Sequence, residues 1–237
     1  MERLDKLLAE QGMLSRSQAR ELIRSGRVQV NGEIAKSPDR KVAETDTVMA
    51  AGRELRVKKY TYIMMNKPVG TLSATRDRRA PTVLDIIPEE LRRKGLFPAG
   101  RLDKDTEGFL LITNDGDLAH RLLAPKSHVP KTYRAVLNRP IEDEALLMEE
   151  FAHGVALDGG DQTSPAQLHI LQNGEQPQIE LVIYEGMYHQ VKRMFERFDY
   201  SVIRLKRVGM GGLALDPTLE PGQCRELSDK ELRALQP

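Results

Sequence analysis

Apolar residues recur at two different spacings along the first fifty positions. Leu4, Leu7 and Leu8 fall at i, i+3 and i+4, which predicts a short amphipathic helix that Gly12 can end. Ser15 and Gln18 have the spacing of a capping box. Ala19, Leu22 and Ile23 share one side of the helix that follows, and Gly26 lies just past its end. From Val28 the period changes to two: Val28-Gln29-Val30 alternates into Asn31-Gly32 and then Glu33-Ile34, the pattern of a hairpin with a tight turn. Two small helices leaning on a hairpin are expected. Beyond Lys58-Lys59, which read as a linker, strand patterns lie at 60–66, 109–114, 132–138, 166–172, 178–185 and 201–208, and helix patterns at 116–124, 143–152 and 188–198. In the last of these, Val191, Phe195 and Phe198 turn one face inward and leave Lys192, Arg193 and Arg197 to a pocket or to solvent. The expectation is an α+β protein with a small domain at 1–57 and a larger one at 60–237.

Composition changes this picture by exclusion. The longest strongly apolar run, Phe109 to Ile112, is far short of a bilayer span, and a mean hydropathy of −0.47 agrees. The first six residues mix acids with bases and lead to no apolar stretch, so no signal peptide is predicted and the cytoplasm is expected. A single cysteine, Cys224, excludes an internal disulfide and a cysteine-rich metal site.

Charge adds a second distinction. The net charge is +1, yet residues 1–60 carry 13 Lys/Arg against 9 Asp/Glu. Arg16, Arg20, Arg24 and Arg27 fall within about 80° of one another around the second helix. A solvated face is the bland explanation; four arginines with only Glu21 interspersed fit a phosphate-bearing partner better.

The densest chemistry is Gly100-Arg101-Leu102-Asp103-Lys104-Asp105-Thr106-Glu107-Gly108, a polar loop that abuts the apolar 109–112. It can be read as a calcium loop, since Asp103, Asp105, Glu107 and Gly108 occupy the first, third, fifth and sixth positions. The twelfth is Asn114, however, where a bidentate Glu is needed. A two-metal phosphoryl-transfer site would use Asp103, Asp105, Asp115 and Asp117, but no phosphate-cradling loop accompanies them, and 114–117 reads as a turn capping a helix. The plainest alternative is that Asp103 pairs with Arg101 on the surface. The chain carries its own control, because Arg3-Leu4-Asp5-Lys6 repeats Arg101-Leu102-Asp103-Lys104 letter for letter.

Two resemblances extend this reading. Arg3-Leu4-Asp5-Lys6, Ser15-Arg16, Ala19, Leu22-Ile23, Gly26-Arg27-Val28 and Val30-Asn31-Gly32 resemble the alpha-L RNA-binding module of ribosomal protein S four, over roughly the first 50 residues. That implies an RNA face on the arginine stripe. Gly100-Arg101-Leu102-Asp103, Thr106, Gly108 and Thr113-Asn114-Asp115-Gly116 resemble the signature of the RsuA/RluB branch of RNA pseudouridine synthases. Asn66-Lys67-Pro68-Val69-Gly70, Pro81-Thr82-Val83, Lys131-Thr132-Tyr133, Thr163-Ser164-Pro165-Ala166, Glu185-Gly186, His189 to Phe195, Leu205-Lys206-Arg207 and Gly212 match in the same order. Within the branch, Ser73-Ala74-Thr75 and 124–133 are closer to the small-subunit (16S) rRNA enzymes than to the 23S ones.

The resemblance implies a mixed, largely antiparallel catalytic sheet with flanking helices, and an isomerase that turns a uridine into pseudouridine without metal or organic cofactor. It assigns Asp103 as the nucleophile, Lys192 as the basic residue paired with it, and Tyr133 as the aromatic that stacks on the target base and helps remove the proton from carbon 5. Arg101 matches a residue that fills the space a flipped base vacates, and Val191 and Leu205 match apolar walls; read alone, Val191 and Leu205 are core. Arg193, Lys206 and Arg207, with the N-terminal arginines, are expected to meet RNA phosphates. The implied partner is ribosomal RNA, 16S or a small-subunit assembly particle, and a monomer suffices. Asp199-Tyr200 stands where relatives often have Gly, so an unusual backbone angle is expected there.

Overall fold

The computed structural model of the chain describes residues 1–11, 14–43, 45–56 and 58–235, so the stop assigned to Gly12 lies outside the described residues. These residues divide into two units, Met1–Thr61 with Pro88–Leu96, and Tyr62–Ile87 with Phe97–Pro237. The excursion of Pro88–Leu96 to the first unit interrupts the continuous second domain expected from sequence. Within the first unit, Lys94 N donates to Glu10 O at 3.5 Å.

Helices Leu4–Gln11 and Arg16–Arg24 build the first unit. The second opens as its sequence demands: Ser15 Oγ accepts from Gln18 N, and Gln18 Oε1 accepts from Ser15 N, which satisfies two otherwise orphaned donors. Val28–Val30 pairs with Glu33–Ile34 across Asn31 (φ 53°) and Gly32 (φ 83°), the two positive angles that a tight primed turn needs. Val28–Val30 also pairs with Thr47–Ala50, and that strand with Arg53–Arg56, completing a four-stranded sheet. The last two strands alternate too briefly, and among too many charges, to be legible in the sequence. Leu4, Leu7, Leu8, Ala19, Ile23, Val28, Val30 and Val48 form the core.

The second unit is built on one sheet, in the order Gln167–Gln172, Gln178–Ile183, Lys131–Leu137, Val202–Met210, Glu107–Thr113, Tyr62–Lys67, Cys224–Glu226. Neighbours along this path run antiparallel except Val202–Met210 beside Glu107–Thr113, which is parallel. The sheet is therefore mixed and largely antiparallel. Asp115 caps helix Gly116–Leu123 by accepting from Leu118 N, and Asp143 caps Glu144–His153 by accepting from Leu146 N. Helix Gln190–Glu196 is shorter than its pattern, because His189 enters the left-handed region (φ 48°). Phe195 packs on Phe151, with ring centroids 4.9 Å apart, and Asp199 takes φ 60° in the turn that follows. Among the described residues no helix is long and apolar enough to cross a membrane.

Candidate active site

Asp103 sits in the turn that feeds strand Glu107–Thr113, and the backbone of that turn is held from below. Lys67, at the end of strand Tyr62–Lys67, is fully buried and donates from one Nζ to Pro68 O (3.1 Å), Asp103 O (3.0 Å) and Thr106 O (2.8 Å). Burial lowers its pKa to about 8, against the pull of the Asp103, Asp105 and Glu107 charges. Ser73 Oγ accepts from Leu102 N and donates to Leu102 O, fixing the other end of the turn. Gly108 takes φ 106°, and a Cβ there would fall 2.2 Å from Arg207 O, so the adjoining strands can approach only because this residue is glycine.

The Asp103 carboxylate is thereby presented at about one-third exposure, with two side-chain nitrogens near it: His189 Nε2 at 3.5 Å and Lys192 Nζ at 3.6 Å. Lys192 is closer to Asp105, at 2.6 and 2.8 Å, and this hydrogen bond lowers the Asp105 pKa. The expected Lys192 pairing is therefore shared, with the tighter contact going to Asp105. Arg101 makes no ion pair with Asp103. Asp103, Tyr133, Lys192, Arg101, Val191 and Leu205 all line one cavity, so the structure brings together the six residues expected to meet the substrate. Val191 and Leu205 contribute apolar side chains that are nearly buried, and Tyr133 is 7% exposed.

Three of the residues expected to meet phosphates are held within the protein or lie away from the cavity. Arg207 is 2% exposed; its Nε donates to Phe109 O at 2.7 Å, and its Nη1 lies 3.5 Å from the Tyr133 hydroxyl. It is a brace behind Tyr133, because alternation along Val202–Met210 turns it to the same side as Leu205. The same alternation sends Lys206 to the opposite face, beside Arg134, away from the cavity. Arg193 donates to Asp158 O and to the Asp161 carboxylate, tying down a neighbouring loop. In the first unit Arg16, Arg24 and Arg27 are exposed, whereas Arg20, half-exposed, donates to the buried Asp5 at 3.0 Å. Asp115, which a two-metal site would require, accepts from Leu118 N and from the Tyr62 hydroxyl as a buried helix cap.

Sequence reasoning did not assign roles to Lys67, Ser73, Glu185 or His189. Glu185 accepts from Ser164 N, Ser164 Oγ and Gln190 Nε2, locking the turn before the Lys192 helix. Except for Ser73, each lies in a block already matched in order; a lysine closing an apolar strand was the one local sign of special burial.

Known proteins give the same picture. A family model described as RNA pseudouridylate synthase matches residues 61–197, and one described as S4 domain matches residues 2–48. The chain belongs to the RNA pseudouridylate synthase family. An uncharacterized RNA pseudouridine synthase of Bacillus subtilis, YtzG, is 48% identical over 236 residues, covering 98% of both chains. Ribosomal small subunit pseudouridine synthase A of Vibrio cholerae is 41% identical, over 98% of this chain and 99% of its own. A crystal structure of a pseudouridylate synthase superposes with a TM-score of 0.69 at 38% identity, over 99% of this chain and all of the other. This pseudouridine synthase is thus an isomerase with an S4 domain ahead of its catalytic sheet.

Proposed function

We propose that the protein converts one specific uridine of 16S rRNA to pseudouridine in the cytoplasm, acting as a monomer, with Asp103 as nucleophile. The observation that carries the mechanism is Asp103 at the rim of a cavity walled by Val191, Leu205 and Tyr133, with Lys192 3.6 Å away. A target base that leaves its stack enters this cavity; extrusion costs about a few kcal/mol. Stacking on the Tyr133 ring returns roughly 1–3 kcal/mol of that.

The Asp103 carboxylate bonds to ribose carbon 1 as the bond from that carbon to N1 breaks; the base turns, and its carbon 5 bonds to ribose carbon 1 and displaces the carboxylate, which is freed. The proton lost from carbon 5 is matched by one gained at N1, so the product is an isomer and no co-reactant is consumed. Lys192 and the backbone clamp of Lys67 hold the carboxylate in place through the turn that carries it. Arg207 puts a fixed positive charge beside the Tyr133 oxygen, which suits that hydroxyl to the proton transfer at carbon 5. Arg101 fills the vacated space in the RNA, and the arginines of helix Arg16–Arg24 bind its backbone. No residue is assigned to a metal or cofactor.

The choice of 16S rRNA rests on the names of relatives such as the Vibrio cholerae enzyme and on the match at Ser73-Ala74-Thr75 and 124–133. Carbodiimide mapping of unmodified 16S and 23S rRNA, each incubated with the protein, tests it. One new stop on 16S is expected. A stop on 23S alone keeps the chemistry and overturns the substrate; no stop on either RNA or on small-subunit assembly particles, with binding retained, leaves an rRNA-binding assembly factor.

A further inference from the structure

The turn between strand Gln178–Ile183 and helix Gln190–Glu196 carries one aromatic ring, His189, to the lining of the Asp103 cavity and stacks a second, Tyr188, against it. Tyr188 and His189 stack with centroids 3.9 Å apart and planes 16° apart. The His189 ring lines the cavity, and its Nε2 is 3.5 Å from Asp103 Oδ1. Tyr188 is 75% exposed.

A tyrosine resting on its neighbour is by itself ordinary. This pair is more constrained than that. His189 holds a left-handed backbone angle, φ 48°, which a non-glycine residue keeps only where its surroundings enforce it. Here Met187 N donates to Gln190 Oε1 at 3.0 Å, Gln190 Nε2 donates to Glu185 at 2.8 Å, and Arg193 Nη1 donates to Tyr188 O at 3.4 Å. The rings are therefore offered to solvent on a braced turn, continuous with the cavity of the nucleophile.

We propose that the Tyr188–His189 stack is a shelf on which the base next to the target uridine in the RNA strand stacks. A base that enters the cavity leaves its neighbour without a stacking partner, and an aromatic pair at the rim replaces the lost one. Every base has a π-face, so the shelf tolerates sequence while fixing the strand's path over Asp103. The inference rests on the reading of the cavity as a uridine site.

The test measures affinity of the full chain for a fluorescent single-stranded RNA heptamer with a central uridine, and for two versions in which the 5′ or the 3′ neighbour of that uridine is abasic. Wild type is expected to bind the intact RNA roughly 5- to 100-fold more tightly than one of the abasic versions. Tyr188→Ala should lose that factor on intact RNA and no longer distinguish it from that abasic RNA; Tyr188→Phe, which keeps the ring, should behave as wild type. Equal weakening of Tyr188→Ala on all three RNAs, no weakening on any, or no measurable preference by wild type overturns the shelf. Conversion of rRNA by wild type is scored separately by carbodiimide mapping. A chain that shows the base-dependent affinity but converts nothing removes the pseudouridine reading and leaves the shelf.

Discussion

The four residues Arg-Leu-Asp-Lys occur twice, and the two copies have opposite fates. In Arg3 to Lys6 the aspartate is fully buried and closed off by two arginines, Arg3 at 3.0 and 3.1 Å and Arg20 at 3.0 Å. In Arg101 to Lys104 the aspartate is about one-third exposed, its own arginine makes no ion pair with it, and His189 Nε2 and Lys192 Nζ stand 3.5 and 3.6 Å off. Leu4 and Leu102 are buried in both and serve as the anchor. The arginine–aspartate pairing considered for the second copy is what the first copy does. Context decides: the first copy opens an amphipathic helix, where Asp5 is within reach of Arg20 on the next one. The second lies in a turn whose backbone is clamped by Lys67, which leaves the Asp103 carboxylate open to the cavity.

The comparison is broken most severely by exchanging Asp103 for its amide. Asp103→Asn should lower conversion by at least about 1,000-fold, since a carboxylate nucleophile has no substitute, while RNA affinity stays within a few-fold. Lys192→Ala should cost roughly 10- to 100-fold in kcat, because the charge facing Asp103 is lost. Asp105→Asn should cost less than about threefold, since it frees Lys192 to turn fully to Asp103. A loss at Asp105 as large as that at Lys192 would mean that Asp105 itself takes part in the reaction.

Asp5→Ala should instead destabilise the first unit by roughly 2 kcal/mol, read by thermal or urea unfolding, because it strips two arginines of their buried partner. Hydrogen bonding to Arg3, opposed by burial and helped by Arg20, lowers the Asp5 pKa from its ordinary 3.8 to about 2. A depressed carboxylate pKa contributes stability that is fully present above 3.8 and is lost as pH falls through about 2. Acid titration of wild type should therefore show a loss of stability between pH 4 and 2 that Asp5→Ala lacks.

The smallest effect belongs to the arginine stripe. Neutralising Arg16 or Arg24 should flatten the salt dependence of rRNA binding by about 1 in slope for each lost phosphate contact, without moving the unfolding midpoint. Neutralising Arg20 should also lower stability, because it releases Asp5. An unchanged slope at Arg16 and Arg24 returns that face to solvent.

How far the sequence reached follows the range of the interactions involved. The capping box at Ser15, the Asn31-Gly32 turn and the longer strands of the main sheet are legible, because each carries its own pattern in residues close in the chain. The strands Phe97–Ala99 and Cys224–Glu226 are not: they take their place from pairing with the Glu107–Thr113 and Tyr62–Lys67 strands, and a three-residue pattern carries no period of its own. At the site, the cavity-lining residues were named from ordered motifs. Motifs do not say which face of a strand a residue takes relative to a distant partner, and the adjacent Lys206 and Arg207 take opposite faces. One lies behind Tyr133 and the other on the far side of the sheet. The burial of Lys67 depends on three carbonyls, two of them supplied by residues 36 and 39 positions away, which no local pattern reports.

On the proposed function, the second aspartate reacts and the first only holds. Carbodiimide mapping of unmodified 16S rRNA incubated in parallel with wild type, Asp103→Asn and Asp5→Asn, with RNA affinity measured for each, tests it most directly. A new stop is expected with wild type and with folded Asp5→Asn, and none with Asp103→Asn at near-normal affinity. Pseudouridine formed by Asp103→Asn would contradict it.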